Sequence, residues 1–148
     1  MLIALALALG GISLYLNKDW FAGDVIQIRH RSRPDRGGVF RRAKRPADKT
    51  TDPIFFDIDR KIKLTSLKVV PVSDIQTNKY PHPIWHLVSD SNSVPIADFW
   101  YGMRINGMRP SVQGATPDPL QPGVKYRLLI EAKAGKAEHD FVPVPRTP

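Results

Sequence analysis

The chain has no cysteine in 148 residues, so disulfide frameworks and thiolate chemistry are excluded from the outset. The side chains left for chemistry are a few histidines and acids. His82 and His86 stand four apart in PHPIWH. On a helix that is the spacing of two metal ligands on one face. Pro81 and Pro83 argue against a helix, because proline restricts the residue before it and lacks an amide donor. On a strand the two rings would still share a face, but two ligands do not make a site, and His30 and His139 are distant in sequence. Asp57 and Asp59 flank Ile58, and Asp90 and Asn92 flank Ser91, yet neither pair leads into the glycine and late glutamate of a calcium loop. Both read as turn chemistry. Two carboxylates can serve as an acid and a base on a sugar, but nothing here outlines a sugar cleft. No G-x-S-x-G, phosphate-binding loop or G-x-G-x-x-G occurs. The expectation is a non-enzyme with no cofactor, metal or small-molecule substrate.

A second kind of chemistry is recognition. Phe99, Trp100 and Tyr101 are consecutive. In a strand, alternation sends Phe99 and Tyr101 to one face and Trp100 to the other. Either both faces are covered within the domain, or the cluster anchors a protein interface, where Trp and Tyr are favoured.

The elements that position these groups begin with an apolar stretch. Met1–Leu16 reads MLIALALALGGISLYL, without a charge. At 1.5 Å per residue, Leu2–Leu16 covers about 22 Å against a hydrocarbon core of about 30 Å. Asn17 through Phe21 would make up the length, with Lys18 snorkelling and Trp20 and Phe21 at the headgroup boundary. No basic residue precedes Leu2, so the segment reads as a retained anchor rather than a cleaved signal. Leu2, Leu5, Leu9, Ile12 and Leu16 fall on one side of such a helix; Ala6, Gly10, Ser13 and Asn17 fall on another and would admit a second helix.

The charge is concentrated. Arg29–Arg45 holds Arg29, Arg31, Arg33, Arg36, Arg41, Arg42, Lys44 and Arg45 against Asp35 alone, a net of +7, whereas the rest of the chain nets +1. Beside a membrane such a run is attracted to anionic headgroups and keeps its side of the chain in the cytoplasm; it could equally pair with acidic surfaces of a neighbouring subunit. Nucleic acid is the other conventional partner of basic runs, but no aromatic residues are interleaved for stacking, and none is expected here.

The expected division is residues 1–21 as a transmembrane helix, 22–52 as a basic juxtamembrane connector in which the alternating Val25, Ile26 and Ile28 of Asp24–Arg29 suit a short strand, and 53–148 as one small β domain. All 14 prolines lie beyond residue 33, favouring short strands and turns. Ile54–Ile58 reads as a strand and Asp57–Arg60 as a turn. From Ile62 to Val72 the apolar phase slips by one, as a β-bulge near Thr65–Ser66 would cause. Ser73–Lys79 suits a helical turn, Ile84–Val88 a strand, Val94–Ile105 an aromatic strand and Asn106–Gly107 a tight turn. Val124, Tyr126, Leu128, Ile130 and Ala132 alternate cleanly; a turn at Ala134–Lys136 leads to a last strand at Glu138–Val144. About seven short strands indicate an antiparallel sandwich.

Leu120-x-Pro122-Gly123-Val124-x-Tyr126-x-Leu128-x-Ile130-x-Ala132 resembles the entry to the penultimate strand of fibronectin type III domains, within the immunoglobulin-like sandwiches. The resemblance spans thirteen residues, Leu120–Ala132. It implies that the Tyr126 hydroxyl bonds backbone at a sandwich corner, that Leu120 plugs the core beneath it, and that Trp85 lies on an earlier core strand. Sandwich folds host many functions, so it implies at most a binding or spacer role.

Together these readings predict a mainly β chain with an N-terminal single transmembrane helix followed by a small antiparallel Ig/FnIII-like sandwich. The expected role is a non-catalytic accessory subunit of a larger integral-membrane complex, of respiratory or photosynthetic type. Its partners would be the other subunits and anionic lipid headgroups. It would be single-pass in the cell's inner membrane with the domain in the cytoplasm. The alternative is a free-standing membrane-tethered sandwich that binds or adheres.

Overall fold

The computed structural model describes residues 2–16, 25–34, 50–89 and 93–146. The first element, α1, is Leu2–Leu16, 15 residues long. It is apolar over its whole length, but among the described residues no helix is long and apolar enough to cross a membrane. This corrects the expected transmembrane helix and, with it, the single-pass inner-membrane placement. A span needs length as well as hydropathy. The turn and a half needed beyond Leu16 fell on Asn17, Lys18, Trp20 and Phe21, which lie outside the described residues. On the expected docking face of α1, Gly10 and Ser13 are exposed, and a Cβ built on Gly10 would meet nothing within 4 Å. Ala6 belongs to the helix as well.

The rest of the described chain is mainly β, in two antiparallel sheets. Strands β1 (Ile28–Ser32), β2 (Ile54–Ile62) and β5 (Ile96–Trp100) form a three-stranded sheet in the order β1-β2-β5. Strands β3 (Leu64–Pro71), β4 (Trp85–Ser89), β6 (Met108–Pro110), β7 (Tyr126–Ala132) and β8 (Gly135–Phe141) form a five-stranded sheet in the order β6-β4-β3-β7-β8. A short helix, α2 (Val72–Thr77), lies between β3 and β4.

Period-two burial explains the layering. Ile54, Phe56 and Ile58 of β2 point inward, as do Leu67 and Val69 of β3 and Tyr126, Leu128 and Ile130 of β7. Aromatic rings join the layers. Phe56 of β2 packs on Phe99 of β5 at 5.3 Å between ring centroids and edge-on against Phe141 of β8 at 5.1 Å. Trp85 of β4 packs 6.2 Å from Phe99 and edge-on to Tyr101 at 5.1 Å.

Two expectations about local structure change. Asp57–Arg60 is not a turn, because β2 continues to Ile62 through a register shift between Asp57 and Ile62 against β5. The Asp59 amide donates to the Gln27 carbonyl at 3.1 Å, so this charged stretch is paired backbone with its ionic side chains outward. The expected strand Val94–Ile105 is shorter, ending at Trp100 before a glycine with φ of 80° at Gly102. The phase slip at Thr65 is a true irregularity, a register shift between Leu64 and Ser66 against β7. Residues 28–32, inside the stretch read as a connector, form β1 and pair with β2 from Ile28↔Ile58 to Ser32↔Ile54.

At the entry to β7 the Tyr126 hydroxyl accepts a hydrogen bond from the Gln121 amide at 3.1 Å, and Leu120 is buried beside it. Tyr126→Phe keeps the ring stacked on Phe141 and removes only this bond. The expected cost is about 0.5–1.5 kcal/mol, read as a lower midpoint in denaturant with an unchanged slope.

Candidate interaction surface

The residues singled out for catalysis or metal binding are not drawn together. His82 is exposed ahead of β4, and His86 lies on the outer face of β4 opposite Lys68 of β3. Partial burial, with Lys68 adding to it, lowers the His86 pKa. Asp57 accepts from Arg31 at 3.2 Å. Asp59 is gripped by the Arg60 guanidinium at 2.8 Å, which holds its carboxyl below the usual range. Asp90 and Asn92 lie outside the described residues. Among the described residues no three His, Asp or Glu side chains gather as a metal site would require.

The aromatic triplet divides as alternation demands. Phe99 and Tyr101 are 1% and 8% exposed, and the Tyr101 hydroxyl donates to the Asp118 carbonyl at 2.6 Å. Both therefore belong to the core, not to an interface. Trp100 is half-buried on the outer face of the three-stranded sheet, 6.4 Å from the ring of Phe55.

Register builds a surface around that ring. On the outer face, Arg31, Phe55 and Trp100 form one cross-strand row, and Arg29, Asp57 and Asp98 form the next. Arg33, one step past β1, sits over the Phe55 ring with its Cζ 6.0 Å from the centroid, within cation–π range. The Arg33 amide donates to the Pro53 carbonyl at 3.2 Å, so the chain leaves β1 and returns to β2 at this same corner. The intervening segment carries Arg36, Arg41, Arg42, Lys44 and Arg45, which lie outside the described residues. Sequence thus attaches the basic run to the edge of an aromatic face.

The outer face of the five-stranded sheet is different in character. Arg127 of β7 donates to both carboxylate oxygens of Asp140 on β8, at 2.6 and 3.0 Å. That pairing lowers the Asp140 pKa and raises that of Arg127. Lys125 also reaches Asp140, at 3.5 Å, and Lys136 reaches Glu131, at 3.3 Å. An open depression here is lined by Ser66, Lys68, Leu129, Glu131, Lys136 and Glu138. Its opposite charges largely cancel, so it offers little electrostatic preference for a partner.

Phe55 also lies on this outer face of the three-stranded sheet, a placement not singled out from the sequence. Its position between the inward-facing Ile54 and Phe56 of an apolar strand places it outward by alternation alone. The contact between His30 and His139, 109 residues apart, carries no local sequence signal.

The chain matches no protein-family model, no curated protein and no solved structure in the three comparisons made.

Proposed function

We propose that this chain is a non-catalytic accessory module that docks on an acidic protein surface through the outer face of its three-stranded sheet. The observation that carries the reading is the row Arg31–Phe55–Trp100 with Arg33 over Phe55. Half-buried rings rimmed by guanidinium groups are the composition of an interface anchor, because Trp and Arg combine large contact area with oriented donors. Charge favours an acidic partner: Arg29 and Arg31 lie on β1, Arg33 follows it directly, and the adjoining segment adds the remainder of the basic run. The finer reading of the fold is an FnIII-like sandwich. It is supported by the bond from the Gln121 amide to the Tyr126 hydroxyl, by buried Leu120, and by the β1-β2-β5 and β6-β4-β3-β7-β8 strand orders.

The test uses a synthetic peptide of alternating glutamate and leucine, titrated at low salt while tryptophan fluorescence is followed. Wild type is expected to bind with an affinity that falls as salt rises. Arg29→Glu with Arg33→Glu is expected to weaken binding by at least about tenfold, since opposed charges steer encounter and like charges oppose it. Arg31 is left in place in that variant because it also pairs with Asp57. Unchanged affinity, or a flat wild-type titration, rejects the docking face.

A further inference from the structure

The two sheets meet along an edge formed by β1 and β8. There the His30 Nδ1 and the His139 Nε2 lie 2.6 Å apart, with ring centroids at 4.9 Å. This side-chain bond ties the edge strand of the three-stranded sheet to the edge strand of the five-stranded sheet. We propose that His30 and His139 form a pH-sensitive latch, which holds β1 against β8 while at most one ring is charged and frees β1 to open when both are protonated.

The chemistry follows from what imidazole can offer. Two neutral rings share one N–H donor and one bare nitrogen acceptor, and a singly protonated pair does the same with a charge-assisted bond. Two imidazolium rings present donor to donor and positive to positive at a contact distance, so the bond is lost and repulsion replaces it.

His30 is exposed to solvent, but the protein groups around the pair do little to relieve that second charge. On β2, Phe56 stands opposite His30, and on β7, Leu128 stands opposite His139; both are fully buried. The Phe141 ring of β8 lies 6.2 Å from His30. On β1, Arg29 and Arg31 flank His30 and by alternation point to the other face. On β8, Glu138 and Asp140 flank His139 on the outward side, and both are within reach of Arg127, at 3.6 and 2.6 Å. Asp140 favours protonated His139, but partial burial and His30 oppose it more strongly, so the His139 pKa lies below its ordinary 6.5. A depressed histidine contributes stability that is fully present above its ordinary value and is lost as pH falls below it.

β1 is suited to opening. It has five residues, and only Ile28 among them is buried. It also carries Arg29 and Arg31, so its release would dismantle the arginine row; that consequence rests on the docking reading, whereas the latch itself does not.

Amide hydrogen exchange tests it on the full chain. The Arg33 amide, bonded to the Pro53 carbonyl, and the Asp59 amide, bonded to the Gln27 carbonyl, report on the two ends of β1. Amides of β7 report on global unfolding. Between about pH 7.5 and about pH 5, protection at Arg33 and Asp59 relative to β7 is expected to fall by at least about fivefold. In His30→Gln, at an exposed position, and in His139→Gln, the same ratio is expected to stay level, because no second charge can form. A level wild-type ratio, or a fall of equal size in both variants, overturns the latch. A flat wild-type peptide titration at neutral pH with the exchange result intact would instead reject only the docking face.

Discussion

Replacing Phe56 with alanine is expected to lower folding stability by about 3–5 kcal/mol. The position is completely buried and sits where the sheets meet, against Phe99 of its own sheet and Phe141 of the other. Truncation removes the ring's transfer energy and leaves a cavity that neighbours on two rigid sheets cannot close. For a domain of about a hundred residues the cost corresponds to a fall in Tm of more than about 10 °C. Phe55, the preceding residue, supplies the control: it is half-buried on the outer face, and Phe55→Ala is expected to cost under about 1.5 kcal/mol. Thermal unfolding of both variants checks the inward-outward assignment directly. Equal losses would mean that β2 is covered on both faces.

Trp100→Ala is expected to weaken binding of the glutamate–leucine peptide by about thirtyfold or more, about 2 kcal/mol at the tenfold-per-1.4 kcal/mol conversion. Trp100 lies beside Phe55, the two rings tilted to one another, at the end of the row that Arg31 begins, so its loss removes the largest side chain on that face. Stability should fall by only about 1 kcal/mol, because the ring is half-buried and its backbone partners are untouched. The informative quantity is the ratio of the two effects. A large drop in Tm with unaltered binding would make Trp100 a packing residue.

These two expectations treat Phe99 and Trp100 oppositely although they are adjacent in sequence. The alternation rule separates such neighbours into two classes, but it does not say which class is buried. That choice came from the pairing of Phe99 with Phe56, which turns Phe99 toward Trp85 and leaves Trp100 outside. The same pairing moved Tyr101 into the core, where its hydroxyl reaches Asp118.

Sequence alone determined what depends on near neighbours: the alternating strand Tyr126–Ala132, the irregularity at Thr65, the turn before Met108 and the antiparallel β character of the domain. It also determined that α1 is uniformly apolar, but avoidance of water and sufficient length to span a bilayer are separate properties, and the described helix covers 15 residues. Tertiary structure decided that Ile28–Ser32 joins the domain as an edge strand, that Asp57–Arg60 stays extended, and that His30 meets His139. The physical reason is that side-chain periodicity is written into consecutive residues, whereas strand pairing is a competition among distant segments. The winner is fixed only when both sheets bury their inner faces together.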